Sequence, residues 1–188
     1  MPEHPSPTTR ILLTGAGGRI GSAFRDYAAD RYQLRLADRD ASKLGDPKGH
    51  EIFLLDAADL SACQSACAGV DVVIHLAADP SPAADFYGSL LDNNIKATYN
   101  IFRAAKDQGC RRVIYASSIR ALEGYPQGAP VAPDAPVRPT DMYGVSKCFG
   151  EATAHYFAVA EGLSSIVVRI GTFEATWARK PSSEAGLS

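Results

Sequence analysis

The chain has 188 residues, with 19 Lys and Arg against 21 Asp and Glu, a formal net charge of −2. That balance gives no global attraction to nucleic acid or an anionic membrane, and 46% hydrophobic residues exclude wholesale disorder in favour of one globular domain. No apolar run is long enough to span a bilayer, and the polar segment Met1 to Thr9 lacks the apolar stretch of a secretory signal, so it reads as a disordered lead-in to a cytoplasmic protein.

Short β-rich runs then alternate with longer helical ones. Arg10 to Thr14 is a continuous apolar strand that runs into glycines, and Gly18 to Ala29 reads as a helix. Strands follow at Tyr32 to Asp38 and Glu51 to Asp56, a short helix at Leu60 to Ala68, and a strand at Val70 to Ala77. Phe86 to Gln108 is a long helical stretch stopped by Gly109, and Arg111 to Ala116 is a fifth strand. Thr140 to Glu161 is a helix capped by Thr140 or Asp141 and ended by Gly162, ahead of a last strand at Ser165 to Ile170. Strands without polar alternation, separated by helices, are buried on both faces. The pattern predicts an α/β, doubly wound parallel sheet of Rossmann-like type over residues 10–173. Ala121 to Pro139 holds too many prolines for regular structure and reads as a loop over a ligand. Glu174 to Ser188 is a short polar tail.

Cys63, Cys67, Cys110 and Cys148 form no CxxC pair, which favours reduced thiols. Cys63 and Cys67 share a helix face, but no further His or Cys completes a ligand set. They read as small buried hydrophobes, and no metal site is expected.

Thr14-Gly-Ala-Gly-Gly-Arg-Ile-Gly21 joins the first strand to the first helix, with Gly15, Gly18 and Gly21 at GxxGxxG spacing. Glycines allow a tight turn and let a pyrophosphate approach backbone N–H groups, and the helix N-terminus favours its negative charge. Arg19 and Ile20 lie inside the same turn. Asp38 ends the second strand 20 residues after Gly18, where a carboxylate can accept from ribose hydroxyls and repels a 2′-phosphate. This favours NAD over NADP, although Arg39 beside it could accommodate that phosphate. Asp56, at the end of the third strand, either meets an adenine or is a solvated or helix-capping acid. Tyr143 and Lys147 stand four apart on one helix face, where an ammonium beside a phenol lowers the phenol's pKa. Ser118, just past the fifth strand, can hold a substrate oxygen.

Taken together, these residues resemble the extended short-chain dehydrogenase/reductase group, also called the NAD-dependent epimerase/dehydratase family. The resemblance covers about Arg10 to Thr172 and rests also on His75-Leu-Ala-Ala78, Asn94, Asn100 and Ser117-Ser118. Within the group, Arg35-Leu-Ala-Asp38, Ala116-Ser-Ser118, Tyr143 to Glu151 and Val168-Arg-Ile-Gly171 look most like uronate dehydrogenases, which oxidise a hexuronic acid at its anomeric carbon.

The resemblance implies NAD as cofactor and a sugar or sugar acid as substrate. It implies Tyr143 as general base, Lys147 as the group that tunes it and binds the nicotinamide ribose, Ser118 as orienter, and Asn94 as a polar residue of the site. Ala57, Leu76, Ala77 and Ala78 would pass close to the cofactor, and Ser81 would touch substrate. His75 would pack within its strand. Ile119-Arg120 stands where uronate dehydrogenases carry an Asn-His pair. Relatives continue into a C-terminal portion that closes the substrate pocket and carries a carboxylate-binding arginine. The sequence reading expects that portion to be missing here, with Arg179 the only arginine beyond Arg169. A nucleotide-sugar epimerase or dehydratase, or a truncated cofactor-binding relative without catalysis, are the alternatives. Pairing of the two long helices into a homodimer is also implied, with no nucleic-acid or membrane partner.

Overall fold

The computed structural model describes residues 9–174. Met1 to Thr8 of the lead-in, the tail beyond Glu174 and Arg179 therefore lie outside the described residues. Six parallel strands form one sheet in the order β3-β2-β1-β4-β5-β6: β1 Arg10–Thr14, β2 Gln33–Asp38, β3 Glu51–Leu54, β4 Val72–His75, β5 Arg112–Ser118 and β6 Ser164–Ile170. The order reverses between β1 and β4, so their carboxyl ends splay apart and leave a crevice.

Along β1, successive side chains alternate between two apolar layers. Ile11 and Leu13 join Leu34, Leu36 and Ile74 on the side covered by α1 (Arg19–Ala28). Leu12 joins Val73, Val113 and Tyr115 on the side covered by α2 (Leu60–Cys67), α3 (Ala97–Asp107) and α4 (Met142–Val159). A strand buried on both faces has no polar side to show, which is why these runs lack alternation. Cys63, Cys67 and Cys110 are free and fill gaps in the second layer. β6 is the sheet edge and leaves Ile166, Val167 and Val168 exposed.

Several details differ from the sequence reading. The long helix is not uniform: Phe86–Lys96 winds as a π-helix and only Ala97–Asp107 as α-helix. Asp141 rather than Thr140 caps α4, accepting from Gly144 N at 2.6 Å. Asp59 caps α2, while Asp56 accepts from Ala58 N at 3.0 Å in the turn before it. β5 runs two residues further than expected, so Ser118 is its last residue, and paired with Ile170, rather than lying past it. A 3-10 turn, Ile119–Leu122, opens the proline-rich segment, and another, Ala41–Leu44, follows β2.

α4 can lie on β5 because of one missing side chain. A Cβ on Gly150 would stand 2.1 Å from the Tyr115 ring, itself 1% exposed. Glycine inside a helix costs about 1 kcal/mol relative to alanine, a cost the close packing offsets. Gly150→Ala would gain that propensity but overpack a ring with nowhere to go. It is expected to destabilise the domain by about 2 kcal/mol or more, measured by urea unfolding against the parent chain.

Candidate functional site

The crevice at the β1/β4 switch is a continuous cleft in two halves, about 380 and 370 Å³, which share Gly15, Gly18, Leu76, Ala78 and Pro80. Its floor is the turn between β1 and α1. Gly15 has φ +66°, and a Cβ there would stand 2.8 Å from Ala77 N. A Cβ on Gly21 would stand 2.3 Å from the Gly15 carbonyl oxygen. The first requirement is conformational and the second steric, and only glycine meets either. The turn closes through Gly18 N to Gly15 O at 3.0 Å and Gly17 N to Asp38 Oδ2 at 3.0 Å. Gly18 is the N-cap of α1 and brings no side chain, and no acid lies in the first turn, so the positive helix end opens on the cleft.

Residues expected to meet a cofactor fall into two groups. Asp38, Arg39, Asp56, Ala57 and Ala77 line the first half of the cleft. Arg19, Ile20 and Gly21 line the second, together with Ser118, Tyr143 and Lys147. The Asp38 carboxylate also braces the loop, accepting from Asp40 N at 3.1 Å, and Arg39 donates to Asn93 Oδ1 at 3.0 Å. Asn94 and Ser81 do not line the cleft. Asn94 is buried, and its carboxamide binds Asp79 N, Asp79 O and Ser146 Oγ at 2.8–3.1 Å. Ser81 sits one residue beyond Pro80. Asn100 is buried and donates to the carbonyls of Ala57 and Ala58, holding that edge of the cleft to α3.

The reactive end is built by β5 and α4. Lys147 is 4% exposed and donates to the Ala116 carbonyl at 2.9 Å, with Nζ 5.5 Å from the Tyr143 ring centre and 5.3 Å from that of Tyr115. Burial pulls its pKa down to about 8, so it is still mostly protonated at pH 7. Tyr143 departs from the expected direction. Burial raises the phenol, and the Ser118 hydroxyl and the Arg120 charge only partly oppose this. The lysine's hydrogen bond goes to a backbone carbonyl, and the cost of desolvating a phenolate prevails.

His75 packs within its strand, fully buried. It shares a 2.7 Å hydrogen bond with the Thr14 hydroxyl, which also accepts from Ala77 N at 3.3 Å. Burial, helped by the Lys147 charge, drives its pKa down to about 3, so the ring is neutral.

Several residues at the site escaped the sequence reading. Lys43, Asp79, Ser89 and Asn93 line the first half of the cleft, and Phe173 the second. Glu151 forms a two-point ion pair with Arg169 at 2.9 and 2.7 Å and accepts from Ser117 Oγ at 2.5 Å. Its spacing four residues after Lys147 was the available signal, since it continues the Tyr143–Lys147 face.

Arg120 pairs with Glu123 and Asp141, both at 2.9 Å. Among the described residues, no group of three or more His, Cys, Asp or Glu gathers for a metal ion, and no helix is long and apolar enough to cross a membrane.

Known proteins share this fold. The chain is 38% identical to the NAD-dependent glucose-6-phosphate dehydrogenase of Haloferax volcanii, over 86% of its own length and 67% of the relative's. It is 39% identical to the uronate dehydrogenase of Agrobacterium fabrum, over 87% of its length and 61% of the relative's. A UDP-glucose 4-epimerase of Streptomyces lividans matches at 28%. Among solved structures, a mutant uronate dehydrogenase from Agrobacterium tumefaciens complexed with NAD superposes with a TM-score of 0.80 at 36% identity, over 87% of this chain and 61% of that one. The chain thus spans about 60% of the length of the uronate dehydrogenases it matches. Residues 11–187 match the model of one family along nearly the whole sequence, the segment past β6 included. By that match, and by the glycine turn and parallel sheet beneath it, the chain belongs to the NAD dependent epimerase/dehydratase family.

Proposed function

We propose that the protein is an NAD-dependent dehydrogenase that oxidises a CH–OH group of a sugar or sugar acid, in the manner of a uronate dehydrogenase. The observation that carries this reading is the convergence of Ser118, Tyr143 and Lys147 on the half of the cleft that begins at the Gly15–Gly21 turn. Higher identity to sugar dehydrogenases than to epimerases supports it further.

The cleft suits a dinucleotide. The bare backbone at Gly15 and Gly18 and the open N-terminus of α1 would take the pyrophosphate. Asp38 would accept from the adenosine ribose and disfavour a 2′-phosphate. When bound, NAD⁺ supplies the hydride acceptor. Tyr143 removes the hydroxyl proton, Ser118 holds the substrate oxygen, and Lys147 places positive charge beside the phenolate. A raised Tyr143 pKa puts the active base form at alkaline pH.

The assembly we propose is a homodimer through α3 and α4, where Tyr99, Val145, Tyr156 and Val159 are exposed. Free thiols at all four cysteines suit the reducing cytoplasm.

Three measurements test these proposals. Calorimetric titration should give saturable NAD⁺ binding at least tenfold tighter than NADP⁺. Gly15→Ala should lose at least tenfold in affinity and lower the Tm, because its Cβ would meet the Ala77 backbone. Failure to bind either cofactor would favour a relative without catalysis. With a hexuronate, glucose 6-phosphate and L-arabinose as trial sugars, NADH should accumulate. The rate should climb as pH rises above neutrality, and Tyr143→Phe should lower kcat by about 10²-fold or more. Recycling of cofactor without accumulation would favour an epimerase. Light scattering should give twice the chain mass, and Val145→Asp should shift it to the monomer.

A further inference from the structure

The loop after β4 carries Pro80, which borders both halves of the cleft, and Ser81 beyond it. Two prolines flank Ser81, so the loop cannot hold itself by regular backbone pairing. What holds it is Asp79. One carboxylate oxygen accepts from Ser81 N at 2.9 Å and the other accepts from the Ser89 hydroxyl. The backbone of Asp79 is gripped at both its N–H and its C=O by Asn94, whose carboxamide also donates to Ser146 Oγ at 2.9 Å. Ser146 Oγ in turn donates to the Tyr143 carbonyl at 2.6 Å. On the other side, Ser89 Oγ accepts from Asn93 at 3.1 Å, and Asn93 accepts from Arg39 at 3.0 Å. One polar string thus runs from the end of β2 to the first turn of α4, with Asp79 at its centre.

The π-helix is what makes this string possible. In α-winding, residues five apart point to different sides. π-winding closes its hydrogen bonds over five residues, which brings Ser89 and Asn94 to the same side, where both reach Asp79.

We propose that Asp79 is a positioning residue that sets the loop Asp79–Ser81 against the π-helix and so fixes Pro80, the wall shared by both halves of the cleft. This rests on the dehydrogenase reading. Asp79 touches neither the reacting hydroxyl nor the proton in transit. It acts through Pro80, and therefore on binding in the cleft rather than on chemistry.

The test compares Asp79→Ala, Asp79→Asn and Ser89→Ala in the full chain, using whichever of the three trial sugars is turned over. Asp79→Ala should raise the sugar KM tenfold or more and weaken NAD⁺ binding, with kcat within threefold of the parent. Ser89→Ala should move KM in the same direction by less. Asp79→Asn should return KM to within threefold, because its carboxamide oxygen still accepts from Ser81 N and its NH2 still meets Ser89. An unchanged KM in Asp79→Ala, a kcat loss as large as the loss in kcat/KM, or no rescue by asparagine would overturn the proposal.

If the chain turns over none of the sugars, the dehydrogenase reading has failed, and hydrogen exchange decides the positioning role. Faster exchange of the Ser81 amide in Asp79→Ala, restored in Asp79→Asn at an unchanged Tm, would support it, and equal protection in all three would refute it.

Discussion

The structure depends on how closely the β1–α1 turn approaches the end of β4. A Cβ on Gly15 would run into the Ala77 backbone, and one on Gly21 into the Gly15 carbonyl. No side chain fits between these segments, so the helix end and the strand end form one continuous floor of bare backbone. That floor does two things at once. It closes the apolar layer through Ala16 and Leu13, both fully buried, and it sets the uncapped N-terminus of α1 on the cleft. Thr14 and His75 bind each other directly beneath it, so the two strand ends that flank the switch point are tied by side chains as well as by the sheet.

α4 is the second constraint, and it is set by the same device. Gly150 lets the helix lie on the Tyr115 ring, and a Cβ on Gly144 would stand 2.6 Å from the Arg120 carbonyl. A helix held this close to β5 brings Lys147 under the strand, where Ala116 accepts its ammonium proton, and leaves Tyr143 at the mouth. One turn further on, Glu151 locks the helix to Arg169 of β6 and to Ser117 of β5. Ser118 is therefore positioned by a neighbour on its own strand, and the phenol by a helix that cannot slide.

Burial then sets the electrostatics. Lys147 and His75 are both buried within the polar heart of the site, and both are driven toward their neutral forms, the lysine only as far as about 8 and the histidine to about 3. The histidine is thereby confined to packing and hydrogen bonding, while the lysine keeps most of its charge at neutral pH. Tyr143 is half-buried and is pushed the other way. The same loss of water acts on all three, with its sign decided by which form of each group carries charge.

Much of this was legible in the residues. Short apolar runs bounded by turn residues and alternating with helical stretches read as the strands of a parallel sheet, so the sheet and the helices between its strands were legible, as were the glycine turn and the Tyr143–Lys147 face. Spacing could not reveal that Phe86–Lys96 is wound as a π-helix, or that Asn94 meets Asp79 and Ser146 from other elements. Nor could it show that Asn94 spends both amide protons inside the fold and accepts there with its carbonyl oxygen, or that Glu151 closes on Arg169. The direction of the Tyr143 shift was likewise beyond it, because a local i, i+4 pair says nothing about how much water the surrounding elements remove. The sequence by itself determined the periodicities, the bare turn and the order of the chemical groups, all of which are local properties of the chain. Only the tertiary structure decided which partner each polar group takes and how far each charge is desolvated, because both depend on contacts between residues far apart in the chain.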